Sequence, residues 1–318
     1  MPDFIDEQHP AWLQFLHSCQ QGIHHAWLIT GPRGAGKTAF IQKAALHLLS
    51  SGAARHEHAK LLRQGAHPDA KMLGQRDING ELDAASLRAD GVREVGQFFR
   101  MKPAISQWRV AAIQHAEMMN KQAANAVLKI LEEPPPQAVI FLSTHVPGVL
   151  LPTLRSRCRV LKIQAPTRQQ IFVQLQRQFT DTPSAMIEWA IGASHHNLSV
   201  ASMLIKTDAY HIHQQLDDLC AQLPAFNYGL AASIAQKFTN KDDKPLECLI
   251  LLLKNIVQQA AASCAGVSPL FPWHAHQSLS GWLQVWDEYH QLERQVASLF
   301  LDPKTAAYRA LALLAVPR

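Results

Sequence analysis

Closely spaced cysteines are missing from this sequence, and their absence narrows the kinds of protein it can be. The five cysteines are spread along 318 residues, and no two of them form a C-x-x-C pair. This spacing argues against a zinc cluster built from cysteines and against a disulfide scaffold, and it is typical of proteins kept in a reducing cytoplasm. The cysteines are Cys19, Cys158, Cys220, Cys248 and Cys264.

Long apolar runs are missing as well. The run from Leu249 to Leu253 ends at Lys254, far short of the roughly 20 residues of a membrane-spanning helix. The first residues are acidic and polar where a signal peptide is basic and then apolar. We therefore expect a cytoplasmic protein without membrane contact. The net charge of +5 is compatible with a polyanionic partner, and equally with an ordinary basic surface.

A glycine-rich loop after the first predicted strand is the strongest motif that is present. Residues 31–38 match G-x-x-x-x-G-K-T, and residues 39–49 carry apolar side chains at helical spacing. Glycines let backbone N–H groups face phosphates, the lysine supplies positive charge, and the threonine hydroxyl is a ligand for Mg²⁺. The pattern predicts a P-loop nucleotide site. Its nucleotide-binding residues are predicted to be Gly31, Gly34, Gly36, Lys37 and Thr38.

The residues after the predicted strand at 109–113 argue against hydrolysis. A P-loop protein that hydrolyses ATP has an aspartate there for Mg²⁺, often with a glutamate that activates water. This sequence has Gln114 and His115 instead. Glu117 lies two residues further on, and we expect it to face elsewhere. Any bound ATP is therefore expected to be hydrolysed slowly or not at all.

Three further polar features leave their interpretation open. Thr144 closes the predicted strand at 138–143, where it either contacts the nucleotide or is an ordinary strand residue. Arginines alternate along residues 155–159, either as a solvated face or as a group from which one arginine reaches a neighbour's phosphates. His56 and His58 have no cysteine or carboxylate partners at metal-binding spacing, and we expect them in a solvated loop or helix.

Taken together, these motifs resemble the AAA+ clamp-loader family of bacterial DNA polymerase III. The resemblance is strong over residues 1–165 and thin beyond them. It implies an α/β AAA+ domain with a parallel sheet flanked by helices at 1–165, a small helical lid at 166–207 and an all-α collar at 208–318. The motifs are residues 31–38, His67-Pro68-Asp69, Asn125-Ala126-Val127-Leu128-Lys129-Ile130-Leu131-Glu132-Glu133-Pro134-Pro135 and Leu154-Arg155-Ser156-Arg157-Cys158.

The resemblance also assigns roles to individual residues. Arg157 falls on the family's arginine finger, which reaches in trans to the γ-phosphate of ATP held by the adjacent motor subunit. Thr144 falls on the sensor-1 position. Lys121 and Lys129 lie on the helix that faces the interior of the ring, where they either contact DNA or are simply solvated.

The implied partners are the motor (tau/gamma) and delta subunits and, through the complex, the sliding clamp and primed DNA. The leading interpretation is a non-motor subunit that binds ATP or ADP with Mg²⁺ without turnover, and that neither polymerises DNA nor hydrolyses ATP efficiently. A self-sufficient ATPase resembling the motor is the alternative, and a P-loop phosphotransferase is a third. No zinc or other resident metal is expected, because residues 51–64 replace the four-cysteine module that the family usually carries before His-Pro-Asp.

Overall fold

The chain divides into two compact units, Met1–Gln170 and Ile171–Arg318. The computed structural model describes residues 5–50, 55–75, 83–238, 246–267, 273–299 and 302–315. The first unit is an α/β layer structure and the second is helical in its described ranges, which confirms the predicted fold class. The separate lid and collar boundaries stay a prediction. Among the described helices, none combines the length and the apolar character needed to cross a membrane.

A five-stranded parallel sheet forms the centre of the first unit. Its strands are β1 (Ala26–Thr30), β2 (Ala70–Leu73), β3 (Arg109–Ile113), β4 (Ala138–Thr144) and β5 (Arg159–Lys162). They lie in the order β2-β3-β4-β1-β5, and every neighbouring pair is parallel. Strands β1, β3 and β4 are buried along their whole length, as expected where helices cover both faces of a sheet. All five carboxyl ends therefore meet at one edge.

Helices cover the two faces of this sheet in groups of three. They are α1 (Pro10–Gln21), α2 (Lys37–Leu49), α3 (Arg55–Arg63), α4 (Ala89–Arg100), α5 (Lys121–Glu132) and α6 (Pro152–Ser156). Because successive strand residues face opposite sides, Trp27 and Ile29 pack with α1–α3, whereas Ala26 and Leu28 pack with α4–α6. The two resulting cores hold the strand ends, and the loops that follow them, in place.

The second unit is built from helices whose apolar faces pack together. Its helices are α7 (Arg168–Gln178), which begins at the unit boundary, α8 (Ser184–Ala193), α9 (Leu198–Lys206), α10 (Ala209–Ala221), α11 (Tyr228–Gln236), α12 (Leu246–Cys264), α13 (Leu279–Leu299) and α14 (Pro303–Ala312). Leu253 of α12 and Trp282 of α13 are fully buried. The hydroxyl of Tyr289 donates to the carbonyl oxygen of Ala310 at 3.1 Å, which ties α13 to α14.

The His-Pro-Asp motif is a structural element of the first unit. The carboxylate of Asp69 is fully buried and accepts hydrogen bonds from the backbone N–H groups of Ala104, Ile105 and Ser106 at 2.6–2.9 Å. Burial raises the pKa of Asp69, but these hydrogen bonds outweigh it, so the pKa lies below its ordinary value. Arg109 lies 3.7 Å away. The motif therefore anchors the loop that leads into β3.

His58 differs from its predicted environment. Residues Arg55–Arg63 form a helix, and His56 is exposed on it as expected. His58, however, is buried, with its Nδ1 2.8 Å from Nε2 of His67. The prediction of a solvated His58 is wrong because its partner lies nine residues later in the chain, beyond the reach of a local pattern.

Candidate functional site

The P-loop connects β1 to α2 at the carboxyl edge of the sheet. Gly31 has φ of 152°, and a Cβ at this position would lie 2.3 Å from the carbonyl oxygen of Ile163. Gly36 has φ of 88° and directly precedes α2. Only glycine accepts this combination of left-handed backbone and close approach without strain. The N-terminus of α2 consequently lies at the end of the loop, as a phosphate site requires.

The side chain of Lys37 lies along this loop. Its ammonium donates to the carbonyl oxygens of Gly31 at 2.8 Å and Pro32 at 2.7 Å. Burial lowers the pKa of Lys37, and the negative charge of Glu117 opposes that shift. The loop geometry and the placement of this cation fit the phosphate chain of a nucleotide.

The position beside the P-loop fits Mg²⁺ less well than it fits phosphate. The hydroxyl of Thr38 donates to Oε1 of Gln114, the residue directly after β3, at 2.8 Å. Gln114 is buried and supplies one neutral oxygen where a hydrolysing protein has a carboxylate. The structure thus places Thr38, the predicted Mg²⁺ ligand, next to Gln114, which stands where a hydrolysing protein has a carboxylate. The amide of Gln114 accepts the hydrogen bond of the Thr38 hydroxyl.

A group of charged and imidazole side chains lies at the same edge, and sequence reasoning missed it. His115 adopts φ of 54° and starts a 3₁₀ turn over Ala116–Met118. This turn brings the carboxylate of Glu117 to His145, whose Nδ1 lies 2.6 Å from Oε1 of Glu117. The prediction that Glu117 faces elsewhere is therefore wrong. We refer to His115, Glu117 and His145 as the Glu117 cluster.

The Glu117 cluster is linked to the P-loop. Nε of Arg33 donates to Nε2 of His145 at 3.1 Å. An arginine only donates, so this nitrogen accepts and the imidazole carries its proton on Nδ1, facing Glu117. Burial raises the pKa of Glu117, but the polar contacts with His115 and Thr144 outweigh it, and the pKa falls to about 2. Glu117 is therefore ionised at neutral pH.

Thr144 ends β4 next to the P-loop strand. It pairs with Thr30 in the parallel register of β1 and β4 and is buried. Its hydroxyl oxygen accepts from the N–H of Val146 at 3.0 Å, and its side chain contacts Glu117. Thr144 thus lies at the carboxyl edge that holds the P-loop and contacts the Glu117 cluster.

Arg157 lies at the opposite edge of the sheet. It follows α6 and precedes β5, and Arg159 at the start of β5 pairs with Trp27 near the start of β1. Because β1 and β5 are parallel, Arg157 is at the amino edge, whereas the P-loop is at the carboxyl edge. Its guanidinium contacts Oε1 of Glu132 at 3.0 Å and the carbonyl oxygen of Thr153 at 3.1 Å, while 38% of the side chain stays exposed.

The two predicted DNA-contacting lysines are on α5. Lys121 and Lys129 are both exposed, while Val127 and Leu131 on the same helix are buried. The structure therefore leaves both lysine side chains exposed to solvent on α5.

Comparison with known proteins identifies the family. The family model described as "DNA polymerase III, delta subunit" matches residues 8–167. The chain is 33% identical over 200 residues to DNA polymerase III subunit delta' of Pseudomonas aeruginosa, covering 61% of this chain and 59% of that protein. It is 32% identical over 214 residues to the subunit delta' of Escherichia coli, covering 65% of this chain and 62% of that protein. The match thus spans about three fifths of these relatives.

A solved structure shows a weaker similarity. It is a DNA polymerase III, gamma subunit-related protein from Thermotoga maritima, 16% identical, with a TM-score of 0.48 over 95% of this chain and 98% of that one. The family assignment accordingly rests on sequence. Because the delta subunit model matches half of the chain, and the relatives above are delta' subunits, the protein belongs to the DNA polymerase III delta subunit family and is delta-prime-like.

Proposed function

We propose that this chain is a non-motor, delta-prime-like subunit of the DNA polymerase III clamp loader. Its task is to supply Arg157 in trans to ATP held by the neighbouring motor subunit, while the sliding clamp is loaded onto primed DNA. The observation that carries the proposal is the position of Arg157, which is partly exposed at the edge of the sheet opposite to the chain's own P-loop. An arginine at this edge is better placed to reach a nucleotide bound by a partner subunit than a nucleotide bound by the P-loop of the same chain.

The chemistry follows from the guanidinium group. A planar cation with several N–H donors stabilises the charge that develops on a transferring phosphoryl group. Glu132 and the carbonyl oxygen of Thr153 each contact one nitrogen of the Arg157 guanidinium. These contacts restrict the side-chain rotamers of Arg157 and leave its other N–H donors available. We infer that Glu132 orients Arg157 before the neighbour docks.

The chain's own P-loop serves a different purpose. Its glycines and Lys37 suit the phosphates of ATP or ADP, whereas Gln114 offers Thr38 a neutral amide in place of a carboxylate. Nucleotide bound there would hold the loop in shape without turnover.

The partners follow from the family. The relatives named above are DNA polymerase III subunits, which supports membership of the same assembly for this chain. The proposed partners are the motor (tau/gamma) and delta subunits, with the clamp and primed DNA reached through the complex. Lys121 and Lys129 are candidates for contact with the DNA backbone, and such contact would weaken as salt rises.

The experiment is ATP turnover in a complex reconstituted with motor and delta subunits, stimulated by clamp and primed DNA. Arg157→Ala should lower the stimulated rate by orders of magnitude, the scale of an arginine finger. Arg157→Lys should restore little, because an ammonium lacks the planar fork. Arg155→Ala is the matched control: it removes an exposed arginine of α6 that donates to Pro147, and it should have a much smaller effect. Normal turnover with Arg157→Ala in an assembled complex would contradict the proposal.

A self-sufficient ATPase is the alternative that the well-formed P-loop supports. Turnover by the isolated chain separates the two functions. The proposal expects almost none from the wild type, and a gain in the double variant Gln114→Asp, His115→Glu, which restores both carboxylates. Substantial turnover by the isolated wild type would favour the alternative.

A further inference from the structure

Two imidazoles and a carboxylate converge beside the P-loop, in the Glu117 cluster. His115 and Glu117 follow β3, and His145 follows β4, so the parallel sheet brings all three to one edge. One ligand atom from each of the three residues can be chosen so that all lie within 4.8 Å of one another. We propose that His115, Glu117 and His145 bind a divalent first-row transition-metal ion, and that Zn²⁺ suits this donor set best.

The environment of Glu117 gives independent support. Only 9% of its side chain is exposed, and among the described residues neither carboxylate oxygen has a hydrogen-bond partner of acceptable geometry. Nδ1 of His145 lies 2.6 Å from Oε1 of Glu117, a close charge contact that falls outside hydrogen-bond geometry. The contacts that keep Glu117 ionised therefore leave lone pairs of its oxygens unused, since an ionised carboxylate offers about four acceptor sites. A cation at the point where the nitrogens and oxygens converge would bind to these lone pairs.

The distances suit a small ion after a modest adjustment. Zn²⁺ binds imidazole nitrogen and carboxylate oxygen at about 2.0–2.1 Å, so tetrahedral ligand atoms lie roughly 3.3 Å apart. Nδ1 of His115 is already 3.5 Å from Oε1 of Glu117. Nδ1 of His145 has to withdraw from Glu117 by roughly 0.7 Å to reach the same separation. Both imidazoles are partly exposed, 33% for His115 and 20% for His145, which gives an ion access from solvent.

Metal binding would change the P-loop through Arg33. A neutral imidazole has one N–H and one free lone pair. At present Nε2 of His145 offers its lone pair to Arg33, so Nδ1 holds the proton. A metal on Nδ1 needs a lone pair on Nδ1, so the proton has to move from Nδ1 to Nε2. On Nε2 this proton would face the N–H of Arg33. The metal and the hydrogen bond between Arg33 and His145 therefore exclude each other, and the ion would release Arg33.

The site differs from the cysteine module whose absence led us to expect no metal. It also stands apart from the role of Arg157, which lies at the other edge of the sheet. A failure of the metal site therefore leaves the proposed function untouched, and the two are tested separately.

The test is a titration of the metal-free full-length chain with Zn²⁺ in competition with a chromophoric chelator, and with Co²⁺ followed by its visible absorption bands. The wild type should bind one equivalent in competition with the chelator. Glu117→Gln and His145→Gln should each weaken binding by at least about tenfold, since each removes a ligand. Arg33→Ala should bind several-fold more tightly, because no hydrogen bond competes for His145.

The matched control is His211→Ala, which removes an exposed histidine of α10 that contacts Asp208; it should bind like the wild type. Circular dichroism checks the fold of each variant, and the Zn²⁺-induced rise in melting temperature should be lost in Glu117→Gln. Equal affinity of wild type, Glu117→Gln and His145→Gln, or failure of the wild type to bind one equivalent, would overturn the site. Unchanged affinity in Arg33→Ala would overturn the link to the P-loop.

Discussion

Glu117 is a buried carboxylate whose charge contributes to stability in a defined pH range. Its pKa falls from 4.5 to about 2 in the folded chain. A lowered pKa means that the stabilising contribution is complete above pH 4.5 and is lost as the pH falls toward 2. We expect the free energy of unfolding of Glu117→Gln to fall less steeply than that of the wild type as the pH is lowered from 4.5 to about 2. Urea unfolding at a series of pH values measures this dependence. An equally steep decline in the variant would show that Glu117 is not responsible.

Asp69 is the second carboxylate held in its ionised form. We expect Asp69→Asn to destabilise the chain by about 2–4 kcal/mol, because an amide places N–H groups against backbone donors and leaves Arg109 without its anion. Urea unfolding measures the effect. Asp90→Asn is a suitable control, since the contact of the Asp90 carboxylate seen among the described residues is an exposed ion pair with Arg93, and such pairs contribute at most about 1 kcal/mol. Similar stabilities for the two variants would contradict the anchoring role of Asp69.

Lys37 and Arg157 are both cations of the first unit, but we assign them unequal functional weight. Lys37 donates to carbonyls of its own loop, and the residue directly after β3, which contacts Thr38, is the neutral Gln114. We therefore expect Lys37→Ala to leave clamp loading by the reconstituted complex near the wild-type rate. A loading defect as large as that of Arg157→Ala would mean that this P-loop does more than hold a nucleotide.

The junction between β1 and the P-loop depends on a close approach of two backbones. A Cβ at residue 31 would meet the carbonyl oxygen of Ile163 at 2.3 Å, and a shift of Ile163 would disturb its hydrogen bond to the carbonyl oxygen of Thr30 in β1. We expect Gly31→Ala to cost about 1–3 kcal/mol, measured by urea unfolding. Gly148→Ala is the matched control, because a Cβ there meets nothing within 4 Å. A free energy of unfolding for Gly31→Ala close to that of the wild type would show that the backbone at this junction can shift at little cost.

The elements of this fold were predictable where local pattern decides them. The strand Arg109–Ile113 has the predicted bounds, since its apolar residues form a continuous run between polar residues. The first helix begins at Pro10, with His9 as its N-cap, because a proline suits the first turn.

The parts of the site that sequence missed depend on contacts between distant residues. Glu117 meets His145 through a left-handed residue and a short turn, features that no local pattern announces. Arg157 meets Glu132 only because α5 ends at the edge of the sheet where β5 begins. The P-loop was predictable because its chemistry lies in eight consecutive residues. The Glu117 cluster draws on two separate loops.

At the scale of the whole molecule, the parallel sheet keeps two candidate sites apart. Its carboxyl edge holds the P-loop, Gln114 and the Glu117 cluster, and its amino edge presents Arg157. One subunit can therefore hold a nucleotide on one side and offer an arginine to a neighbour on the other. This arrangement fits the proposed function, in which this chain supplies an arginine to a neighbouring subunit.

The most direct test is the single-turnover rate of ATP hydrolysis at the motor site next to this chain, in assembled complexes with wild-type or Arg157→Ala chains. If Arg157 acts in trans, assembly and ATP binding by the complex stay unchanged, and the hydrolysis step at that site slows by roughly 10³-fold or more. An unaltered hydrolysis step in a fully assembled Arg157→Ala complex would contradict the claim that this chain acts in trans.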